Sequence, residues 1–96
     1  MSYERNQIIS LLYRIFQAEG YHWYDNRFSL NLPKSAITAL KEKSFKIPTY
    51  EEIKDVLSGL EYDAEKCKDR AETGRLMVAY DKEGQCFDYY LNLGSL

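Results

Sequence analysis

The chain is expected to fold as an α+β domain: an N-terminal helix, two or three further helices, and a small antiparallel sheet ending in a C-terminal β-hairpin. Three observations predict it. Residues 3–19 repeat apolar side chains at helical spacing, with Ile8, Leu11, Leu12 and Ile15 on one stripe. Residues 27–32 alternate polar and apolar, with Phe28, Leu30 and Leu32 on one side. Residues 75–91 read as two apolar strands about a turn at Asp81-Lys82-Glu83-Gly84.

The first helix gains width from Phe16, and Ile9 and Tyr13 beside the stripe predict cover on more than one side. Ser2 can cap its start, and Gly20 can end it by taking the left-handed position. Tyr21-His22-Trp23-Tyr24 follows, then turn chemistry at Asp25-Asn26. The strand over 27–32 is free to pair with residues 21–24, with the C-terminal hairpin, or with both. Pro33 ends it and suits the first turn of a helix over 34–43, with Ala36, Ile37 and Leu40 inward. Lys41 and Lys43 suit that helix's C-terminal dipole. In the connection that follows, Phe45 and Ile47 are available to the core.

Thr49-Tyr50-Glu51-Glu52 is a capping box, and Ile53, Val56, Leu57 and Leu60 continue the stripe until Ser58-Gly59 weakens the helix. Asp63 can cap a short helix over 64–73, closed by Gly74, but the segment is so polar that it reads equally as a solvated helix face or as a loop.

In the hairpin, Asp81 and Gly84 predict a type I turn with a bulge at the glycine. That places Tyr80 opposite Cys86, Ala79 opposite Phe87 and Met77 opposite Tyr89. One face then carries Met77, Ala79, Phe87, Tyr89 and Leu91, and is expected to lie under the helices. The other carries Leu76, Val78, Tyr80, Cys86 and Tyr90, with Asp88 its only charge, and is expected to be partly covered or to meet a partner. That second face also leaves room for a symmetric homodimer.

Ninety-six residues are read as one domain, 1–96. A net charge of −2 is too small and of the wrong sign for general nucleic-acid binding. The start Met-Ser-Tyr-Glu-Arg lacks the basic, then apolar, pattern of a secretory leader, and no apolar run reaches the roughly 20 residues of a membrane span. Cys67 and Cys86 lack metal or redox spacing, which predicts free thiols and a cytoplasmic setting.

No catalytic pattern stands out. His22 is the single histidine and lies among aromatics, with no glycine-rich nucleophile turn in the chain. A zinc site would need His22, both cysteines and a carboxylate to converge without a local ligand pair. No phosphate loop, dinucleotide fingerprint or calcium loop is present. The expectation is therefore a protein that is not an enzyme and has no metal or cofactor.

Charge is unevenly divided. Residues 51–72 hold eight carboxylates (Glu51, Glu52, Asp55, Glu61, Asp63, Glu65, Asp69 and Glu72) against Lys54, Lys66, Lys68 and Arg70. The residues before 51 carry an excess of base. An acidic face of this kind can dock on a basic partner and steer its approach. Tyrosine is unusually abundant at nine residues, and Tyr and Trp bring large contact area at low entropic cost.

The expected function is thus a small protein-binding inhibitor or adaptor, of the kind represented by phage anti-defence proteins and by immunity proteins that block nucleic-acid enzymes. Tyr21, Trp23 and Tyr24, then Glu61, Asp63, Glu65 and Asp69, are the expected contact residues. The competing expectation comes from element order: helix, strand, helix, helix, hairpin resembles a winged helix. That resemblance implies DNA binding through a recognition helix with Lys66, Lys68 and Arg70, and a wing with Lys82. The carboxylates of the same segment would repel phosphate, and fold alone does not fix function.

Overall fold

Gln17 ends the first helix. It adopts a left-handed backbone (φ 55°), and its amide donates to the Tyr13 carbonyl at 2.7 Å. The computed structural model describes residues 3–18, 20–21, 26–60 and 70–93. Helix α1 runs Tyr3–Phe16, so it stops short of the Gly20 expected to cap it. Gly20 is needed elsewhere: Gly20–Tyr21 is a short edge strand, β1. Ser2 and Glu19 lie outside the described residues.

Strand β2 spans Arg27–Pro33 and passes straight into helix α2, Lys34–Lys43. Pro33 makes the junction with φ −54° and ψ 146°, extended backbone that proline's ring favours. Ser44 closes α2 in the left-handed region (φ 53°), its amide bonded to the Lys41 carbonyl. Helix α3, Tyr50–Leu57, opens on the expected capping box. The Glu52 amide donates to Thr49 Oγ1, and the Thr49 amide donates to Glu52 Oε1, both at 3.3 Å.

Of the expected helix over 64–73, only the end is described. Arg70–Glu72 forms a single 3-10 turn, and strand β3 already begins at Thr73, running to Tyr80. Gly74 is therefore a strand residue, not a helix stop. It stands opposite Leu32, and a Cβ there would meet the Asn92 carbonyl oxygen and lie 2.9 Å from Ile37 Cγ1. The close approach of α2 and β4 to the strand is what requires glycine. Strand β4 spans Cys86–Asn92.

The described residues thus form three α-helices and one antiparallel sheet of order β1-β2-β3-β4, an α+β fold. The helices share one core with one face of the sheet. Ile8, Leu12 and Phe16 of α1, Ile37 and Leu40 of α2, and Ile53 and Leu57 of α3 meet Phe28, Leu30, Leu32, Leu76, Val78 and Tyr80. Leu30 faces Leu76 and Phe28 faces Val78 in the register, so these strand pairs pack side by side beneath the helices. Cover of α1 on several sides holds only in part. Ile9 packs against the core, but Tyr13 is exposed. Phe45 also joins the core, whereas Ile47 is exposed.

The hairpin forms through the expected turn, but its register is corrected in one respect. Tyr80 faces Cys86 as expected. Ala79 then faces Asp88, Val78 faces Tyr89, Met77 faces Tyr90 and Leu76 faces Leu91. Phe87 is an extra residue on β4 at the shift between Ala79 and Tyr80. Beyond this bulge Tyr89 and Leu91 still lie under the helices as expected, but they share that face with Leu76 and Val78 instead of Met77 and Ala79. The core side therefore holds Leu76, Val78, Tyr80, Cys86, Tyr89 and Leu91, not the set led by Met77 and Ala79. The turn residues fix pairing only beside the turn, and the bulge lies just beyond it.

Candidate protein-binding surface

Large apolar side chains left exposed on β4 and just beyond its end define the candidate site. Phe87 is 53% exposed, Tyr90 50% and Leu93 39%. Tyr90 stands opposite the half-buried Met77, on the side away from the helices. Its hydroxyl accepts a hydrogen bond from Asn92 Nδ2 at 2.9 Å. Asp88, also exposed, is the one charge on β4. Residues two apart on a strand share a face, so Asp88, Tyr90 and Asn92 form a row.

The opposite side of β4 is held by packing. Tyr89 and Leu91 line an apolar groove with Leu40, Phe45, Pro48 and Ile53, and the Tyr89 hydroxyl donates to the Phe45 carbonyl. This anchors β4 against the α2–α3 connection and orients the outer row.

Main-chain directions follow from two bonds. The Tyr80 amide donates to the Asn26 carbonyl on the β2 side, and the Asp81 amide donates to the Gln85 carbonyl on the β4 side. Backbone groups alternate along a strand, so Ala79, Met77 and Arg75 turn theirs toward β4. Their partners Asp88, Tyr90 and Asn92 use their own groups on β3. The groups of Tyr89 and Leu91 point away from β3, and among the described residues β4 is an edge of the sheet.

The hairpin tip is committed to its own turn. Asp81 Oδ1 accepts from the Glu83 amide at 3.0 Å and the Gln85 amide at 2.8 Å, and Gly84 takes φ 81°. Lys82 is exposed there beside exposed Glu83. A tip with one base beside an acid offers a phosphate backbone little attraction.

Two hydroxyls are buried without hydrogen-bond partners, Ser29 Oγ and Tyr80 Oη. Tyr80 stacks on Phe28 with ring centroids 6.2 Å apart. Burial pushes its phenol pKa well up, and the nearby Cys86 and Glu4 add to the effect. Burial likewise raises the Cys86 thiol, which is free and buried. A buried thiol held in its neutral form is a poor nucleophile. Among the described residues no group of three or more His, Cys, Asp and Glu side chains is placed to hold a metal ion, and no helix is long and apolar enough to cross a membrane.

Of the expected contact residues, Tyr21 belongs to β1, where it pairs with Ser29. Trp23, Tyr24, Glu61, Asp63, Glu65 and Asp69 lie outside the described residues, as do His22, Lys66, Cys67 and Lys68. The structure instead brings forward Phe87, Tyr90 and Leu93. The signal for Tyr90 was present in the sequence: Asp88 is the one charge in the strand, and Tyr90, two residues on, shares its face and its exposure. No family model, curated protein or solved structure matches the chain.

Proposed function

We propose that this chain acts in the cytoplasm by binding another protein, without catalysis of its own. The observation that carries the reading is the exposure of two aromatic side chains on β4. Phe87 and Tyr90 are each about half exposed on a strand that Tyr89 and Leu91 anchor to the core, which offers exposed aromatic contact area on a held strand. Such residues anchor protein interfaces because they bury much apolar area while losing little rotamer freedom. The free, buried Cys86 thiol agrees with a reducing compartment.

The finer reading is an inhibitor of a nucleic-acid enzyme, in the manner of anti-defence or immunity proteins. Its support is the acidic excess of residues 51–72, which suits a basic partner. Tyr21, Trp23 and Tyr24 with Glu61, Asp63, Glu65 and Asp69 remain the proposed contacts outside the hairpin. Winged-helix DNA binding is the competing outcome, and the acidic neighbours of Lys82 argue against it.

Affinity capture from the native host tests the reading, with wild type run beside a Phe87→Ser/Tyr90→Ser variant. One partner retained by wild type and lost by the variant is expected. A DNA duplex at low salt should show no mobility shift. A shift abolished by Arg70→Glu with Lys82→Glu would transfer the assignment to DNA binding.

A further inference from the structure

We propose that the edge of β4, with which no described strand pairs, pairs with β4 of a second copy of this chain, joining two sheets across a two-fold axis at Tyr90. This goes beyond the binding reading above and stands separately from it. Three features of the strand point to a copy of itself as the occupant.

The first is symmetry. The regular part of β4 lies between the bulge at Phe87 and the strand's end at Asn92, and Tyr90 is its midpoint. The residues whose main-chain groups point outward, Tyr89 and Leu91, flank that midpoint equally. A two-fold axis at Tyr90 sets Tyr89 opposite Leu91 of the second copy, and each such pair exchanges both N–H···O bonds.

The second is side-chain matching on the outer face. Tyr90 meets Tyr90 of the second copy at a position without main-chain bonds, where opposed side chains come closest and aromatic pairs stabilise most. Tyr90 is about half exposed in the single chain.

The third is charge. Asp88 is the one ionised side chain on β4, and a strand paired with its own copy risks setting like charges together. In this register Asp88 faces Asn92 of the second copy, whose amide is a donor, and the two Asp88 carboxylates lie at opposite ends of the seam. Moving the axis to Tyr89 would bring Asp88 against Tyr90, and the aromatic pair would be lost.

Light scattering on the full chain over a range of concentrations tests the proposal. Wild type is expected to show a concentration-dependent dimer. Tyr90→Lys sets two ammonium groups against each other and should weaken association roughly tenfold or more, while Tyr90→Phe preserves it. Since Tyr90 is a surface residue, the circular dichroism of both variants should match wild type. In a second measurement, mild oxidation of Tyr90→Cys should yield a dimer whose linking peptide contains position 90 on both sides, because Cα atoms at such pairs lie within disulfide reach. A wild type that is monomeric at every concentration, a dimer that Tyr90→Lys leaves intact, or no linkage at position 90 overturns the pairing. None of these results bears on whether Phe87 and Tyr90 hold a different protein.

Discussion

Ala79 stands opposite Asp88, with Phe87 pushed out of the ladder between Asp88 and Cys86. This one relationship decides which aromatics of β4 are core and which are surface. Tyr89 and Leu91 turn toward the helices and Tyr90 away from them. Alanine at Tyr89 or Leu91 should therefore cost about 1–3 kcal/mol, and alanine at Phe87 or Tyr90 within about 0.5 kcal/mol of nothing. Urea unfolding of the four variants gives the comparison.

The buried hydroxyls of Tyr80 and Ser29 have no partners. Each was desolvated on folding without a compensating bond, so its removal leaves nothing unsatisfied. Tyr80→Phe and Ser29→Ala should be neutral or stabilising, by up to about 1 kcal/mol each. Thermal and urea midpoints measure it.

Stability should fall at alkaline pH. The Cys86 thiol and the Tyr80 phenol are both raised in the folded chain, burial being the main cause. Both groups are protonated in folded and unfolded chains below their ordinary values, so the full contribution is present there. As pH rises past the ordinary thiol value of 9.0 and then the phenol value of 10.0, the unfolded chain ionises first and gains. The stability curve should decline from about pH 9 upward. Tyr80→Phe should remove the portion that begins near pH 10, which unfolding measured from pH 7 to 11 would reveal.

Gly74 is packed under the Asn92 carbonyl and beside Ile37. Gly74→Ala forces two elements apart and should destabilise by about 1–3 kcal/mol. Gln17 gives the opposite case. Its left-handed backbone is costly for a residue with a Cβ, so Gln17→Gly should stabilise by about 1 kcal/mol. Chemical denaturation of the two variants should show shifts of opposite sign.

Local chemistry made much of this fold legible. Pro33 and the Thr49–Glu52 box mark the starts of α2 and α3, because those signals act within one turn of the chain. The alternation of Phe28, Leu30 and Leu32 likewise put β2's inner face in view. The end of α1 was not legible, since it is set by where β1 must meet β2 and not by Gly20. Gly74 misled for a related reason: a glycine that admits a distant neighbour looks the same in sequence as one that stops a helix. The bulge at Phe87 had no local signature, and because of it Leu76 and Val78, not Met77 and Ala79, share the core face with Tyr89 and Leu91. The aromatic and acidic contacts named from sequence lie in stretches outside the described residues, apart from Tyr21.

Which β4 residues lie across from Leu76 and Val78 decides both the binding face and the two-fold seam. Directly opposed residues without main-chain bonds between them bring their Hα atoms into close contact. A nuclear Overhauser spectrum of the full chain should therefore show strong Hα–Hα contacts for Val78 with Tyr89 and for Leu76 with Leu91. Contacts of Val78 with Asp88 and of Leu76 with Tyr90 would mean an unshifted hairpin, and would remove both the binding face and the two-fold seam.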